Sequence, residues 1–298
     1  MSFPTYVLVT PARNEEAAIS ETLASVISQS QRPIEWVIVS DGSTDRTDDI
    51  VREAAKAHPF IRLLRLDGRP ARNFASVVFA FNRGIAALTA SEYDFIGLLD
   101  ADVRFPPDYF EKLILKFSQL PKLGLAGGLV IDVTDRSSTR LRQDLNEVAG
   151  ATQLFRRICF NEIGGIHPIP EGGWDAVTCI AARMKGFAVR TFPEIVMDHL
   201  KPRNAMFGHP IRRKWQMGLR DYALGYHPMY ELLKCSVRIS EPPFIAGGIA
   251  WFCGFSWAFC RRRPRTLPEA LITFLQKEQL SKIRMRFASW FHSPARGH

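Results

Sequence analysis

Two aspartates stand two positions apart at the end of an apolar run. The run Phe95–Leu99 predicts a buried strand, and Asp100 and Asp102 follow it directly. Because successive side chains of a strand point to opposite faces, the two carboxylates are expected on the same side. Adjacent carboxylates repel each other unless a cation lies between them, and a divalent cation held by oxygen ligands can bind a diphosphate. On these residues alone, a metal site and an aspartate pair that caps the following turn, Phe105–Asp108, are equally good interpretations.

The surrounding sequence predicts a sheet that brings further polar residues to these aspartates. Apolar runs alternate with amphipathic segments, which is typical of βαβ units and a parallel sheet. The predicted strands are Tyr6–Thr10, Ile34–Val39, Ile61–Leu66 and Phe95–Leu99. In such sheets ligands bind at the carboxyl ends of the strands. Because polar clusters also follow the first two strands, at Pro11–Glu15 and Asp41–Asp45, the metal site is favoured over the capping pair.

The charge distribution narrows the choice of partner. The 298-residue chain has a formal net charge of +9. From Lys201 onward there are 17 Lys or Arg and 5 Asp or Glu, whereas the preceding residues have 22 and 25. A nucleic-acid partner is therefore not expected for the first two hundred residues, and an anionic partner should meet the last third. The five cysteines form no CxxC pair, so we expect neither a disulfide framework nor a zinc site, and a reducing compartment fits best.

Four motifs follow one another in the first hundred residues: Thr10–Glu15 (TPARNE), Ser40–Asp45 (SDGSTD), Ala80–Gly84 (AFNRG) and Leu99–Asp102 (LDAD). In order and spacing they resemble the signature of family-2 glycosyltransferases of the GT-A fold. Three later segments resemble the same family: Gly150–Arg156, Glu171–Asp175 and Asp198-His199. The resemblance spans about Tyr6 to Arg203. It implies an α/β catalytic domain, residues 1–204, with a Rossmann-like, mostly parallel sheet flanked by helices. Residues 205–298 would form a helical, membrane-associating extension.

The resemblance also assigns roles to individual residues. Asp102 would coordinate Mg²⁺ or Mn²⁺, and His199 is a candidate further ligand, although a histidine that merely closes a strand fits equally well. Asp41 would accept hydrogen bonds from the nucleobase, and Glu15 would reach the ribose or fix Arg13. The full set implied for donor binding is Pro11, Ala12, Arg13, Glu15, Asp41, Arg72, Asp100, Ala101 and Asp102.

Asp175 is the candidate general base implied by the resemblance. Inverting transfer needs a carboxylate on the acceptor side to take a proton from the attacking hydroxyl. Trp174 and Arg203 are expected on that side, where the tryptophan ring could stack on a sugar. Relatives often carry Glu-Asp where this chain has Trp174-Asp175, so only one carboxylate is available here. The alternative is that Asp175 only caps the helix predicted from Asp175 to Met184.

The last third predicts contact with a membrane surface. Helical spacing of apolar residues runs from Ala205 to Leu233, and the uncharged, aromatic segment Phe244–Cys260 precedes the arginines of Arg261–Arg265. As a helix this segment would be about 25 Å long, short of the roughly 30 Å hydrocarbon core. We therefore expect a segment that dips into or lies on the membrane, followed by a basic helix on anionic lipid. A buried core helix followed by a solvated basic helix is the alternative.

These expectations combine into one predicted function. The chain should move a single sugar from a nucleotide-diphosphate sugar to a glycan or polyprenyl-linked acceptor, with inversion. The expected setting is exopolysaccharide or lipopolysaccharide synthesis at the cytoplasmic face of the inner membrane. Processive polymer synthesis is less expected, because Arg212–Trp215 is not the Gln-x-x-Arg-Trp signature. The alternatives are a nucleotidyltransferase, which lacks support because no glycine-rich phosphate loop occurs, and a non-catalytic membrane scaffold or nucleic-acid binder.

Overall fold

The computed structural model describes residues 3–67, 74–134, 137–140, 144–201 and 209–291. Two compact units divide the chain, residues 1–204 and residues 205–298. The elements of the first unit are, in order, β1 Tyr6–Ala12, α1 Ile19–Ile27, β2 Glu35–Asp41, α2 Thr47–Ala57, β3 Ile61–Leu66, α3 Ser76–Ala86, β4 Phe95–Leu99, β5 Val103–Arg104, α4 Tyr109–Gln119, β6 Leu123–Thr134, β7 Ser137–Arg140, β8 Thr152–Arg156, α5 Arg157–Glu162, α6 Trp174–Met184 and β9 Ala188–His199.

One mixed sheet organises the first unit. Its strand order is β3-β2-β1-β4-β8-β6-β9-β5, and β7 pairs with β6. Strands β3, β2, β1 and β4 are parallel, as the alternation of apolar runs and helices predicts. The expectation of a mostly parallel sheet is wrong for the other half, because β8 runs antiparallel to both β4 and β6, and β5 antiparallel to β9. A strand buried on both faces has the same apolar pattern in either direction, so its sequence does not reveal this reversal.

Helix α3 packs closely on the sheet beside the predicted donor residues. In the described part of the chain it begins at Ser76, and residues 68–73 lie outside the described ranges. Gly84 faces the sheet, and a Cβ there would overlap Val9 Cγ1 and lie 2.7 Å from Val39 Cγ2. A glycine at this position therefore lets α3 approach the two central strands.

The second unit is helical. Its helices are α7 Pro210–Ala223, α8 Pro228–Val237, α9 Phe244–Cys260 and α10 Glu269–Phe291, with a 3₁₀ turn at Arg238–Ser240. The helical stretch predicted to continue to Leu233 is broken between α7 and α8. Gly225 has a φ of +80° there, a conformation that ends helices, and Pro228 begins the next one.

Buried charges hold the second unit together. Asp221 is fully buried and accepts hydrogen bonds from Trp251 Nε1, at 2.7 Å, and from Lys234. Lys234 also pairs with Glu231 Oε2 at 2.7 Å. Burial, together with the charge of Asp221, raises the pKa of Glu231 to about 7. The Lys234 charge is thus held mainly by Asp221.

The surfaces of α9 and α10 differ. In α10 the apolar residues Leu271, Leu275 and Ile283 are buried. These three side chains therefore cannot form the lipid-facing surface that the sequence predicts for this helix. In α9 one face is buried through Trp251 and Phe255, but several large apolar side chains on the helix are exposed. They are Phe244, Ile245, Ile249, Trp257 and Phe259. None of the helices within the described ranges is both long and apolar enough to cross a membrane.

Substitution of Gly84 by alanine should loosen the packing of α3. The added methyl must displace the stiff valines at positions 9 and 39, so we expect the free energy of unfolding to fall by about 1–3 kcal/mol. Urea denaturation measures this loss. The double variant Gly84→Ala/Val9→Ala should be less destabilised than the sum of the single variants, because the second change removes part of the overlap. Full additivity would contradict this account of the packing.

Candidate active site

A cleft of about 200 Å³ lies where β1, β2 and β4 end. Every predicted donor-binding residue within the described ranges lines it, and Arg72 lies outside those ranges. The lining residues are Pro11, Ala12, Arg13, Glu15, Asp41, Ser76, Val77, Ala80, Asp100, Ala101 and Asp102. Of the three residues from α3, Ala80 belongs to the motif Ala80–Gly84, whereas Ser76 and Val77 lie in the first turn of the helix and belong to no motif that would predict them. Parallel strands place their carboxyl ends at one edge of the sheet, so distant motifs meet there.

The loops after β1 and β2 are fastened to each other. The Thr44 N–H donates to Asn14 Oδ1 at 2.8 Å, and the Glu15 N–H donates to Thr47 Oγ1 at 2.7 Å. Arg13 Nη1 lies 3.9 Å from Asp41 Oδ2. These contacts hold Asp41 and Arg13 in place in the wall of the cleft.

Glu15 has a partner that the sequence did not suggest. Its Oε2 accepts a charge-assisted hydrogen bond from Lys201 Nζ, and its contact with the ribose or with Arg13 stays a prediction. Lys201 lies just after β9 and thus joins the cleft from a part of the chain far from the donor motifs. No motif marks this lysine, so only the tertiary fold could reveal it.

The two aspartates of the central pair are presented by a short buried turn. The Asp100 N–H donates to Ala151 O at 3.0 Å, and Asp102 O accepts from the Leu200 N–H at 2.8 Å. Thr22 of α1 is fully buried beneath the turn. Its Oγ1 lies 2.8 Å from Ala101 O and 2.9 Å from Val103 O, and accepts from the Val103 N–H at 3.1 Å. The hydroxyl of one residue therefore contacts backbone groups both between the two aspartates, at Ala101, and after them, at Val103.

His199 joins the two aspartates. Strand β5, which follows Asp102, pairs antiparallel with the end of β9, and Val103 faces His199 in the register. One ligand atom each from Asp100, Asp102 and His199 lies within 4.8 Å of the others. His199 Nε2 is 3.5 Å from Asp102 Oδ1, and the ring is buried.

This donor set fits a divalent cation. Ligands on opposite sides of one Mg²⁺ are about 4 Å apart, since each bond is about 2.1 Å long, so the three groups can converge on a single ion with small adjustments. Two carboxylates and a neutral imidazole suit Mg²⁺ or Mn²⁺ better than a soft thiophilic metal. His199 contacts Asp102 of this pair, and a cation between the two carboxylates would lower their mutual repulsion.

Asp175 is linked to the central pair through the turn that precedes β8. Its Oδ2 accepts a hydrogen bond from the Gly150 N–H at 3.2 Å, and the next residue, Ala151, binds Asp100. The carboxylate stands in the first turn of α6, which begins at Trp174. It is half-buried, so its remaining oxygen can meet a second group. Asp175 is not among the residues that line the 200 Å³ cleft.

Trp174 and Arg203 complete the predicted acceptor side. The Trp174 ring is 9% exposed and packs against Phe81 with ring centroids 5.5 Å apart. It is held between protein side chains, and its stacking on a sugar stays a prediction. Arg203 lies outside the described residues.

A larger cleft, about 420 Å³, opens around Arg104, Pro106 and Asp198. Its acidic groups already have basic partners: Asp198 Oδ2 lies 2.9 Å from Arg104 Nη2, and Glu194 Oε1 lies 2.8 Å from Lys116 Nζ. Asp198 and His199 are neighbours on β9 and so face opposite sides of the sheet. Asp100 and Asp102, which group with His199, line the smaller cleft, which is therefore the candidate active site.

Comparison with known proteins agrees with this geometry. The profile of Glycosyl transferase family 2 matches residues 7–184. A curated relative, the poly-beta-1,6-N-acetyl-D-glucosamine synthase of Staphylococcus aureus (strain COL), is 26% identical over 265 residues. That match covers 82% of this chain and 52% of the relative, so the chain spans about half the length of this curated protein.

Two solved structures share the fold. A mannosyltransferase from Pyrobaculum calidifontis, in complex with GDP-Man and Mn²⁺, superposes with a TM-score of 0.56 at 19% identity. The superposition covers 98% of this chain and 82% of the mannosyltransferase chain. S. aureus TarS 1–349, in complex with UDP-GlcNAc, gives a TM-score of 0.55 at 16% identity and covers 72% of this chain and 65% of its own.

Substitution of Thr22 by valine should disturb the turn that carries the aspartates. Valine keeps the shape of threonine but leaves the buried Val103 N–H without its acceptor, so the free energy of unfolding should fall by about 1–3 kcal/mol. Thr22→Ser keeps the hydroxyl and is the matched control. Urea denaturation compares the two. Equal losses for Thr22→Val and Thr22→Ser would show that the hydroxyl does not support the turn.

Proposed function

Because this chain belongs to glycosyl transferase family 2, we propose that it moves a single sugar, with inversion, from a nucleoside-diphosphate sugar to a glycan or polyprenyl-linked acceptor. The observation that carries the proposal is the convergence of Asp100, Asp102 and His199 beside a cleft lined by the loops of β1 and β2. A cation site beside a groove at the carboxyl ends of parallel strands suits a leaving group that is a nucleoside diphosphate.

The donor would bind with its base near the β1 and β2 loops. Asp41 would accept hydrogen bonds from the base, while Pro11 and Ala12 pack on its ring. The diphosphate would then reach Asp100 and Asp102, whose Mg²⁺ or Mn²⁺ supplies positive charge to the departing phosphate. Relatives of the fold bind GDP-Man with Mn²⁺ and UDP-GlcNAc, which supports a nucleotide sugar without choosing the base.

Asp175 would take the proton from the acceptor hydroxyl. Asp175 accepts a hydrogen bond from the Gly150 N–H, and the adjacent Ala151 O accepts one from the Asp100 N–H. Acceptor and donor would therefore meet on either side of Gly150 and Ala151. A base on the side away from the leaving diphosphate requires attack from behind the anomeric carbon, and such attack inverts its configuration. Asp175 therefore supports the inverting outcome.

Transfer of one sugar and synthesis of a polymer are both compatible with the family. The S. aureus relative is named for a polymer, which makes polysaccharide synthesis the second candidate. The absence of Gln-x-x-Arg-Trp in this sequence favours a single transfer. Counting the sugars added to a labelled acceptor distinguishes the two.

The second unit would bring the enzyme to an anionic membrane surface at the cytoplasmic face. Phe244, Ile245 and Ile249 are exposed on α9, and aromatic Trp257 lies under Arg263, whose guanidinium carbon is 5.4 Å from the ring centroid. Exposed apolar side chains beside arginines suit the boundary between lipid headgroups and acyl chains. A lipid-linked acceptor would be reached from such a position.

The substitution Asp175→Asn should abolish most transfer while donor binding remains. Loss of a general base lowers kcat by about 10²- to 10⁴-fold. The measurement is the transfer rate from a panel of UDP- and GDP-sugars, alongside nucleotide affinity by calorimetry. Asparagine keeps the shape of the side chain and can still accept from the Gly150 N–H.

Glu171→Gln is the matched control, because it removes an equal charge four residues away. It should keep kcat close to that of the parent chain. If Asp175→Asn retains the parent rate, or if both substitutions reduce kcat equally, Asp175 is not the base.

The substitutions Arg261→Gln, Arg262→Gln and Arg263→Gln together should weaken binding to vesicles that contain phosphatidylglycerol. Each basic residue near an anionic surface contributes about 1 kcal/mol, so the triple variant should bind about 10²-fold more weakly. Sedimentation with vesicles measures the affinity. Substitution of three exposed basic residues of the first unit, Arg32, Lys122 and Lys185, by glutamine is the charge-matched control. Equal losses in the two triple variants would contradict docking through α9.

A further inference from the structure

His199 lies between two carboxylates that come from different parts of the chain. Asp102 approaches Nε2 at 3.5 Å, and Asp132 Oδ1 approaches Nδ1 at 3.4 Å. The second aspartate comes from β6, whose parallel register with β9 places Asp132 directly beside His199. The two carboxylates therefore flank opposite sides of the ring. Asp132 belongs to none of the motifs that predicted the donor site.

The Nδ1 atom of His199 is buried and makes no hydrogen bond at the observed geometry. A buried ring nitrogen without a hydrogen-bond partner destabilises the fold, so a small rotation that brings Nδ1–H onto Asp132 is favoured. Asp132 also takes part in another interaction, which helps to hold its carboxylate in place.

A neutral imidazole has one N–H and one lone pair. If Nδ1 carries the proton towards Asp132, Nε2 presents its lone pair to the space next to Asp102 and Asp100. That is the side on which the three possible ligand atoms converge. The reverse tautomer would aim a lone pair at the Asp132 carboxylate, where two electron-rich atoms repel each other.

We propose that Asp132 is a positioning residue for the cation site: it accepts the Nδ1–H of His199, fixes the ring and its tautomer, and makes Nε2 the metal ligand. This inference rests on the proposed function, since it assumes that the cluster binds a divalent cation. A carboxylate behind a metal-binding histidine raises the basicity of the ring and limits its rotation. Asp132 acts through the histidine and does not touch the cation or the donor.

The experiment measures Mn²⁺ affinity of the full chain by electron paramagnetic resonance of free Mn²⁺, without donor or acceptor. Asp132→Ala should raise the dissociation constant for Mn²⁺ by about 10- to 100-fold. Asp132→Asn keeps an oxygen that can accept from Nδ1–H and should fall between the parent and the alanine variant. Thermal unfolding checks that each variant is folded.

Asp198→Asn is the matched control. It removes the same charge from the residue adjacent to His199, but its carboxylate pairs with Arg104 on the other side of the sheet. Its Mn²⁺ affinity should equal that of the parent chain. An effect of overall charge alone would weaken binding equally in Asp198→Asn, Asp132→Asn and Asp132→Ala, and would overturn the proposal.

Nitrogen NMR of ¹⁵N-histidine-labelled protein, recorded with Mg²⁺, reports the tautomer directly. The parent chain should show His199 protonated at Nδ1, and Asp132→Ala should lose that preference. A folded Asp132→Ala protein with parental Mn²⁺ affinity and the same tautomer would overturn the role of Asp132 alone. A parent chain that binds no Mn²⁺ would instead overturn the cation site itself, and the inference with it.

Discussion

Crowding of carboxylates at one edge of the sheet is the constraint on which the site depends. Glu15, Asp41, Asp100 and Asp102 line one small cleft. Like charges this close raise the energy of the folded state unless positive groups lie among them. Lys201 meets Glu15 and Arg13 meets Asp41, whereas the pair at the end of β4 has His199 beside it. In the proposed function a divalent cation would supply further positive charge at this pair.

The strands and loops that bring these carboxylates together are held rigidly by hydrogen bonds. Three parallel strands end at the cleft, and the neighbouring loops are tied by hydrogen bonds such as that from Thr44 N–H to Asn14 Oδ1. The turn after β4 is held from below by the hydroxyl of Thr22. The backbone also links the groups closely: Gly150, which donates to Asp175, and Ala151, which accepts from Asp100, are adjacent residues. Groups held this firmly lose little entropy when a donor binds.

Much of this site could be predicted from sequence because it lies on strand ends. Alternating apolar runs located β1, β2 and β4, and polar motifs directly after them met in the cleft. The antiparallel β8, the lysine at position 201 and the aspartate at position 132 could not be found in this way. Each depends on which segments become neighbours in the fold, and in the case of Lys201 and Glu15 these are 186 residues apart. The apolar face of α10 shows the same limit, because periodicity identifies such a face but not what covers it.

The central claim is that the cleft binds a nucleoside diphosphate through a divalent cation. Calorimetric titration of UDP and GDP into the full chain, with Mn²⁺ and then with EDTA, tests it most directly. The account predicts that at least one nucleotide binds about tenfold or more tightly with Mn²⁺, because the cation contributes several kcal/mol to the interaction with the diphosphate. Equal affinity with Mn²⁺ and with EDTA, or no binding of either nucleotide in the presence of Mn²⁺, would contradict it.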